Sequence, residues 1–295
     1  MNKTKKKLIP ILFVLPALIM LTVFIFYPLV QNFINSVYEF SAFSPTKTFV
    51  GSANFKELLK DKVVATALKN NFRYAVISVI FQVFGGMTLA AILEQKVFRK
   101  FAPAFRIIYF MPVVISITVI ALLFSFVYHP QIGLLNSLLK NIGLGNLAKP
   151  WLGNSKTAIY AVIAVSQWQS IGYIMMLFIV AIQKIPGELY EAAELDGASK
   201  IQQFFYVTIP QVRETLFVTT LITITGSMLV FNEPYILTSG GGPGTSSITM
   251  SIHMYQMGFL KDRMGYASTL ALVIFIITAI LAVIQQFAFK TGDED

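Results

Sequence analysis

Glu188-Leu189-Tyr190-Glu191-Ala192-Ala193-Glu194-Leu195-Asp196-Gly197-Ala198-Ser199, closing at Val207-Thr208-Ile209-Pro210, is a polar, carboxylate-rich island between two long apolar runs. Lys184-Ile185-Pro186-Gly187 ends the run before it, since proline and glycine together punctuate a helix. Glu188 through Leu195 are good helix formers, and Gly197 supplies a sharp turn that a side chain would obstruct. Ser199 can cap a second short helix running to about Val207, with Pro210 ahead of the next apolar run. The stretch therefore predicts helix, turn and helix outside lipid, in a chain otherwise built to sit within it. Ala192, Ala193, Gly197 and Ala198 allow a partner's backbone close, while Glu188, Glu191 and Asp196 offer carboxylates to its cations.

Working outward, six segments satisfy the roughly 20 apolar residues that a helix needs to cross a hydrocarbon core of about 30 Å. They are 8–37, 72–93, 103–128, 158–182, 215–237 and 266–289. The composition agrees: 56% of the 295 residues are hydrophobic and 13% charged, against roughly 25% charged in a soluble domain. Lys3, Lys5, Lys6 and Lys7 precede the first run, as in a signal peptide. That run outlasts a signal h-region and no small-residue cleavage site follows, so a retained span is expected. The expected fold is all-α, a single six-span membrane domain over residues 1–295 with an exposed loop at 184–210.

The lysine cluster and the short loop with Lys96, Arg99 and Lys100 place the N-terminus, C-terminus and island on the cytoplasmic side. Lys47, Lys56, Lys60, Lys62 and Lys69 lie in the first outer loop and oppose that assignment, but long loops translocate despite their charge. Within the outer loops, Asn54 with Glu57 three residues on predicts an N-capped helix. Leu134, Leu135, Leu138, Leu139 and Ile142 predict a short amphipathic helix between Gly133 and Gly143. That helix is either a packed connector or a platform for an extracytoplasmic partner.

Several chemistries fall away. With no cysteine and only two histidines, His129 and His253, thiolate, metal and triad chemistry lack residues. The net charge of +9 is scattered over loops and forms no basic face for nucleic acid. Gly240-Gly241-Gly242-Pro243-Gly244-Thr245 lacks the lysine of a phosphate loop and reads as a turn. No catalytic residue is expected, and the chain is not expected to be an enzyme. Ion-coupled carriers bury ionisable groups in mid-membrane, whereas here Glu233 is the one serious exception. A secondary carrier or channel is correspondingly disfavoured.

Any polar route through these spans would have to be made from amides, hydroxyls and aromatic rings, which suit sugars. The fourth span offers Gln167, Trp168, Gln169, Ser170 and Tyr173, and the fifth Thr220, Thr223, Ser227, Asn232 and Glu233. The third adds Tyr109 and Ser116, and the second Gln82. Singly, such groups serve as readily to fasten helices together. As a cluster, those of spans four and five are expected to line the pathway, because these two spans flank the island.

The order Glu191-Ala192-Ala193, three residues, Gly197, nine residues, then Val207-x-Ile209-Pro210 resembles the cytoplasmic loop motif of binding-protein-dependent ABC importer permeases. Val207 and Ile209 stand where that motif carries Ile and Leu, conserving apolar volume. Asn232-Glu233-Pro234-Tyr235-Ile236-Leu237-Thr238-Ser239-Gly240-Gly241-Gly242-Pro243-Gly244, Pro150-Trp151-Leu152 and Gly265-Tyr266-Ala267 are similar to the carbohydrate-uptake branch, in particular to the maltose-type first permease chain. The resemblance implies a type I importer permease in a bacterial cytoplasmic membrane, surrounded by lipid and paired with a second permease subunit. It implies two cytoplasmic ATPases, which bind ATP and magnesium while this chain binds no cofactor. It also implies an extracytoplasmic binding protein delivering an oligosaccharide, acidic sugar or glycerol phosphate. Glu191 would pair with a basic group of the ATPase cleft and Gly197 would set the bend.

Overall fold

The computed structural model describes residues 13–44, 46–98 and 100–290. Lys3 to Lys7, the beginning of the first span at Leu8, and Arg99 lie outside the described residues. The principal elements, in chain order, are α1 (Phe13–Asn35), the paired strands β1 (Tyr38–Glu39) and β2 (Thr48–Phe49), α2 (Ala53–Lys60) and α3 (Lys62–Leu93). Next come α4 (Ala102–Val114), α5 (Ile117–Val127), α6 (Leu134–Asn141), α7 (Ala158–Ile182), α8 (Gly187–Leu195) and α9 (Lys200–Gln203). Then follow α10 (Arg213–Leu229), α11 (Asn232–Leu237), α12 (Met250–Tyr255) and α13 (Met264–Lys290). Among the described residues five helical segments are long and apolar enough to cross a membrane, or six when α4 and α5 count as one bent span. Among the described residues the fold is all-α but for the two-residue strands.

Three spans depart from the sequence expectation, the fifth (expected as one helix over 215–237) by an interruption at Val230 and Phe231. The second begins at Lys62 rather than Phe72, because Val64, Ala67, Asn71, Tyr74, Ala75 and Ser78 form one buried stripe at helical spacing that extends below the apolar run. At 32 residues α3 is about 48 Å long by 1.5 Å per residue, longer than a bilayer core. The third, expected as one helix over 103–128, is bent by 99° between α4 and α5. Pro112 lacks the N–H that would continue the ladder, and Ile115 and Ser116 adopt extended ψ values of 135° and 131°.

The chain divides into two compact units, one holding the described residues up to Asp61 with Met254–Ile276, the other Lys62–His253 with the residues from Ile277. In the first, β1 and β2 pair antiparallel with Tyr38 opposite Phe49. The cap of α2 falls on Ser52, not on Asn54 as the sequence suggested. Asn54 is buried and donates instead to the carbonyls of Ser36 and Tyr38, both at 3.0 Å, which competes successfully with the cap position. Arg263 grips Glu57 with two hydrogen bonds of 2.6 and 2.7 Å. That guanidinium holds the Glu57 carboxyl below the usual carboxylate range, against the smaller opposing effect of burial.

In the second unit α7 is the central helix and contributes to two apolar cores. One gathers Tyr74, Ile120, Ile159, Val162, Val230 and Leu237. The other gathers Val83, Met87, Ile174, Met175, Phe178 and Val212. Gly172 lets α4 approach α7: a Cβ there would lie 1.8 Å from the Tyr109 carbonyl oxygen. α6 forms where expected, with Gly133 at its N-cap; Leu135 packs inward while Leu134 and Leu138 remain exposed.

Candidate functional site

The segment from α8 to Pro210 is folded by its own backbone and short polar side chains. Gly197 takes φ +78°, and around it the Ala198 N–H donates to the Ala193 carbonyl at 2.9 Å and the Gly197 N–H to that of Glu194 at 3.1 Å. These two bonds close the end of α8 as a Schellman turn. Ser199 and Gln202 then form a reciprocal capping box at the start of α9. The two arms are tied by Tyr190 Oη and Thr208 Oγ1 at 2.9 Å. α9 runs on through a wider turn at Phe204–Thr208 and a last turn, Ile209–Gln211, which contains Pro210.

No residue of α8 is buried. Glu188, Glu191 and Asp196 are exposed, and Glu191 has no ion-pair partner among the described residues. Glu194 and Lys200 pair loosely at 3.7 Å. Ala192 is open, with Ala193 and Ala198 half-buried beneath the turn. Leu195, Ile201, Phe205 and Tyr206 also face outward, so the surface is apolar with carboxylates among its hydrophobic residues. Beside its root, Leu177, Val180, Lys184, Glu214 and Val218 line a hollow of about 440 Å³ between α7 and α10.

A second hollow, of about 270 Å³, is lined by Val113, Ile117, Gln169, Ser170, Tyr173, Asn232 and Glu233. It lies where two helices break. One wall is the α4–α5 bend; another is the interruption at Val230 and Phe231, which separates α10 from α11. Discontinuous helices of this kind expose backbone polar groups, and in a membrane those groups must find partners. At the bend, the Gln169 amide reaches the Ile115 carbonyl at 3.5 Å. At the interruption, Asn71 donates to the carbonyls of Ser227 at 2.8 Å and Met228 at 3.1 Å. Ser251 donates to the Leu229 carbonyl at 3.2 Å, and Thr249 to that of Val230 at 2.9 Å.

Of the pathway residues read from sequence, Gln169, Ser170, Tyr173, Asn232 and Glu233 meet in this cavity. The others lie elsewhere. Gln167 turns toward α3 and donates to Ser78 Oγ at 3.1 Å and to the Ile163 carbonyl at 2.9 Å. Thr223 and Ser227 are buried, with Ser227 donating to the Thr223 carbonyl at 2.7 Å. Trp168 packs against Phe124 with ring centroids 5.3 Å apart. Tyr109 packs against the second core, and Ser116 is the exposed N-cap of α5. Sequence reasoning missed Asn70 and Asn71. Asn70 donates to the carbonyls of Ser246 and Ile248, both at 2.9 Å, and Asn71 accepts from the Met250 N–H at 2.9 Å. Two adjacent asparagines inside a helix, poor helix formers, were the available signal.

Several long apolar helices, interruptions around a polar cavity, and a self-capped exposed loop define a multi-pass membrane protein. Residues 82–290 match the family described as binding-protein-dependent transport system inner membrane component, and the chain belongs to that family. It is 56% identical to the probable ABC transporter permease protein YurN of Bacillus subtilis, covering 99% of each chain. It is 32% identical to the arabinooligosaccharides transport system permease protein AraP of Halalkalibacterium halodurans, covering 98% of this chain and 91% of the relative. Its fold matches a chain of a bacterial ABC transporter that imports the acidic polysaccharide alginate, with a TM-score of 0.83 at 22% identity and 98% of each chain covered. The fold is thus that of a type I ABC importer permease, and the chain belongs with transport permeases rather than enzymes.

Proposed function

We propose that this chain is the membrane subunit of an ATP-driven importer and forms part of the pathway for a saccharide or related solute. The observation that carries this reading is the continuity between loop and cavity. α7 bears Gln169, Ser170 and Tyr173 and leads into the α8–α9 loop; the loop leads into α10 and then to Asn232 and Glu233. A force applied to the loop therefore reaches both helices that bear the cavity's polar groups. In this proposal the loop and both termini are cytoplasmic, and Glu188, Glu191, Ala192, Ala193, Asp196, Gly197, Ala198 and Pro210 form the ATPase-docking element. A second permease subunit completes the pathway, and two ATPases bind ATP and magnesium. An extracytoplasmic binding protein supplies the solute, as the description of the family supports. Closure of the ATPases draws the loops together and opens the cavity outward; hydrolysis resets it.

The saccharide assignment is supported by hydroxyl, amide and aromatic groups in the cavity and by relatives such as the arabinooligosaccharide permease. The test is co-purification of the ATPase with Glu191→Lys, together with uptake of radiolabelled arabinotriose and maltotriose in a strain lacking the chain. The variant should insert normally yet fail to retain the ATPase or to support uptake. Wild-type uptake by Glu191→Lys would remove the docking role. Uptake of neither sugar by the wild type would remove the assignment to these oligosaccharides.

A further inference from the structure

Glu233 shares its cavity with four uncharged hydrogen-bonding side chains, Gln169, Ser170, Tyr173 and Asn232, and with the apolar Val113 and Ile117. Among the described residues the lining carries one carboxylate and no lysine, arginine or histidine. That set has a chemical bias. A carboxylate accepts hydrogen bonds from sugar hydroxyls and attracts an ammonium group, and its like-charge repulsion toward a second anion strengthens as the effective dielectric falls. The amides and hydroxyls can both donate and accept, so they serve neutral hydroxyls of either sense. Val113 and Ile117 give apolar surface to the C–H face of a sugar ring. An anionic solute here meets Glu233 with no compensating cation in the lining.

We propose that Glu233 sets the charge class of the solute on this chain's side of the pathway: neutral or amine-bearing saccharides pass, and those carrying carboxylate, sulfonate or phosphate are rejected. This rests on the reading of the cavity as part of the pathway, and it narrows the solute within that reading.

The test uses the assembled transporter, with its second permease and ATPases, in nanodiscs. Binding of cellobiose, glucosamine disaccharide and digalacturonate is measured by saturation-transfer NMR on wild type, Glu233→Gln and Ser170→Trp. Retained ATPase subunits report that each variant is folded. Wild type should bind the neutral and cationic probes at least about 10-fold more tightly than the anionic one, and Glu233→Gln should narrow that ratio to about threefold or less. Ser170→Trp fills the cavity and should abolish binding of the favoured probes. If Ser170→Trp abolishes binding but Glu233→Gln leaves the ratio unchanged, the charge assignment fails and the pathway stands. If Ser170→Trp leaves binding intact, the cavity is not the pathway and both fail. A wild type that binds digalacturonate as well as cellobiose, or binds no probe, overturns the proposal directly.

Discussion

Tyr190 Oη and Thr208 Oγ1 stand 2.9 Å apart and close the loop between α7 and α10 across a separation of 18 residues. Tyr190 belongs to α8, which has no buried residue, whereas Thr208 is buried on an arm whose Phe204 and Ile209 pack against the second core, so the bond ties the exposed arm to the packed one. Tyr190→Phe keeps the ring and removes the bond, a loss of about 1 kcal/mol for a neutral hydrogen bond. The expected outcome is faster hydrogen exchange over residues 188–208 and a several-fold fall in transport-coupled ATP hydrolysis, with the complex still assembled. Unchanged exchange in that segment would show that the two arms hold together without the bond.

Gly197 turns the chain at φ +78°, and a Cβ there would meet nothing within 4 Å, so only backbone conformation restricts the position. A β-branched side chain is strained there by roughly 1–2 kcal/mol or more, whereas asparagine tolerates the left-handed region. Gly197→Val should weaken ATPase retention markedly and Gly197→Asn should retain most of it. Quantitative pull-down of the ATPase with each variant separates the two. Equal loss in both would point to a need for bare backbone at the contact rather than for the turn.

Asn71 makes three buried hydrogen bonds: to the carbonyls of Ser227 and Met228, and from the Met250 N–H. Asn71→Leu strands those backbone groups at about 1–3 kcal/mol each. The expected result is a drop of several degrees or more in thermal unfolding in detergent, with reduced folded yield. Gln82→Leu, whose amide makes one weak side-chain bond to Ser78 at 3.4 Å, should cost much less. Comparable melting curves for the two variants would contradict this account of the interruption.

The Glu57–Arg263 pair sets a pH dependence. Its carboxyl is held below the usual range, so it adds stability above the unfolded value of about 4.3 and loses that stability as pH falls through its folded value. Melting temperature should therefore lose this pair's contribution only below about pH 4. Arg263→Gln should lower the melting temperature at neutral pH and flatten that acid limb. Both side chains are partly exposed, so the effect is small and shrinks with salt. A difference between wild type and variant that persists unchanged at pH 3 would assign it to packing instead.

The loop was legible because its determinants are local: Ser199 and Gln202 cap over three residues, and Gly197 marks the turn. Most spans were legible from their apolar runs. The α4–α5 bend was only half so, since Pro112 announces a lost hydrogen bond but does not say whether neighbouring helices will accept a corner. Cavity membership was harder still. Gln167 and Gln169 are two positions apart, which at 3.6 residues per turn points them about 200° apart around α7. One fastens to Ser78 and the other faces the cavity, and composition cannot separate them. Asn71 stood out as a poor helix former beside Asn70, but its partners were illegible, since they lie 156 to 179 residues away, beyond any local pattern.

The interruption before Asn232 has four consecutive carbonyls, from Ser227 to Val230, each bonded by a side chain of Asn71, Thr249 or Ser251. Straightening this helix would have to surrender those bonds in an environment with no water to replace them. In the transport cycle proposed above, the corner therefore acts as a fixture and not as a joint. Whatever swings during transport must carry it along whole, so the polar rim beside Glu233 keeps one shape while access to it changes.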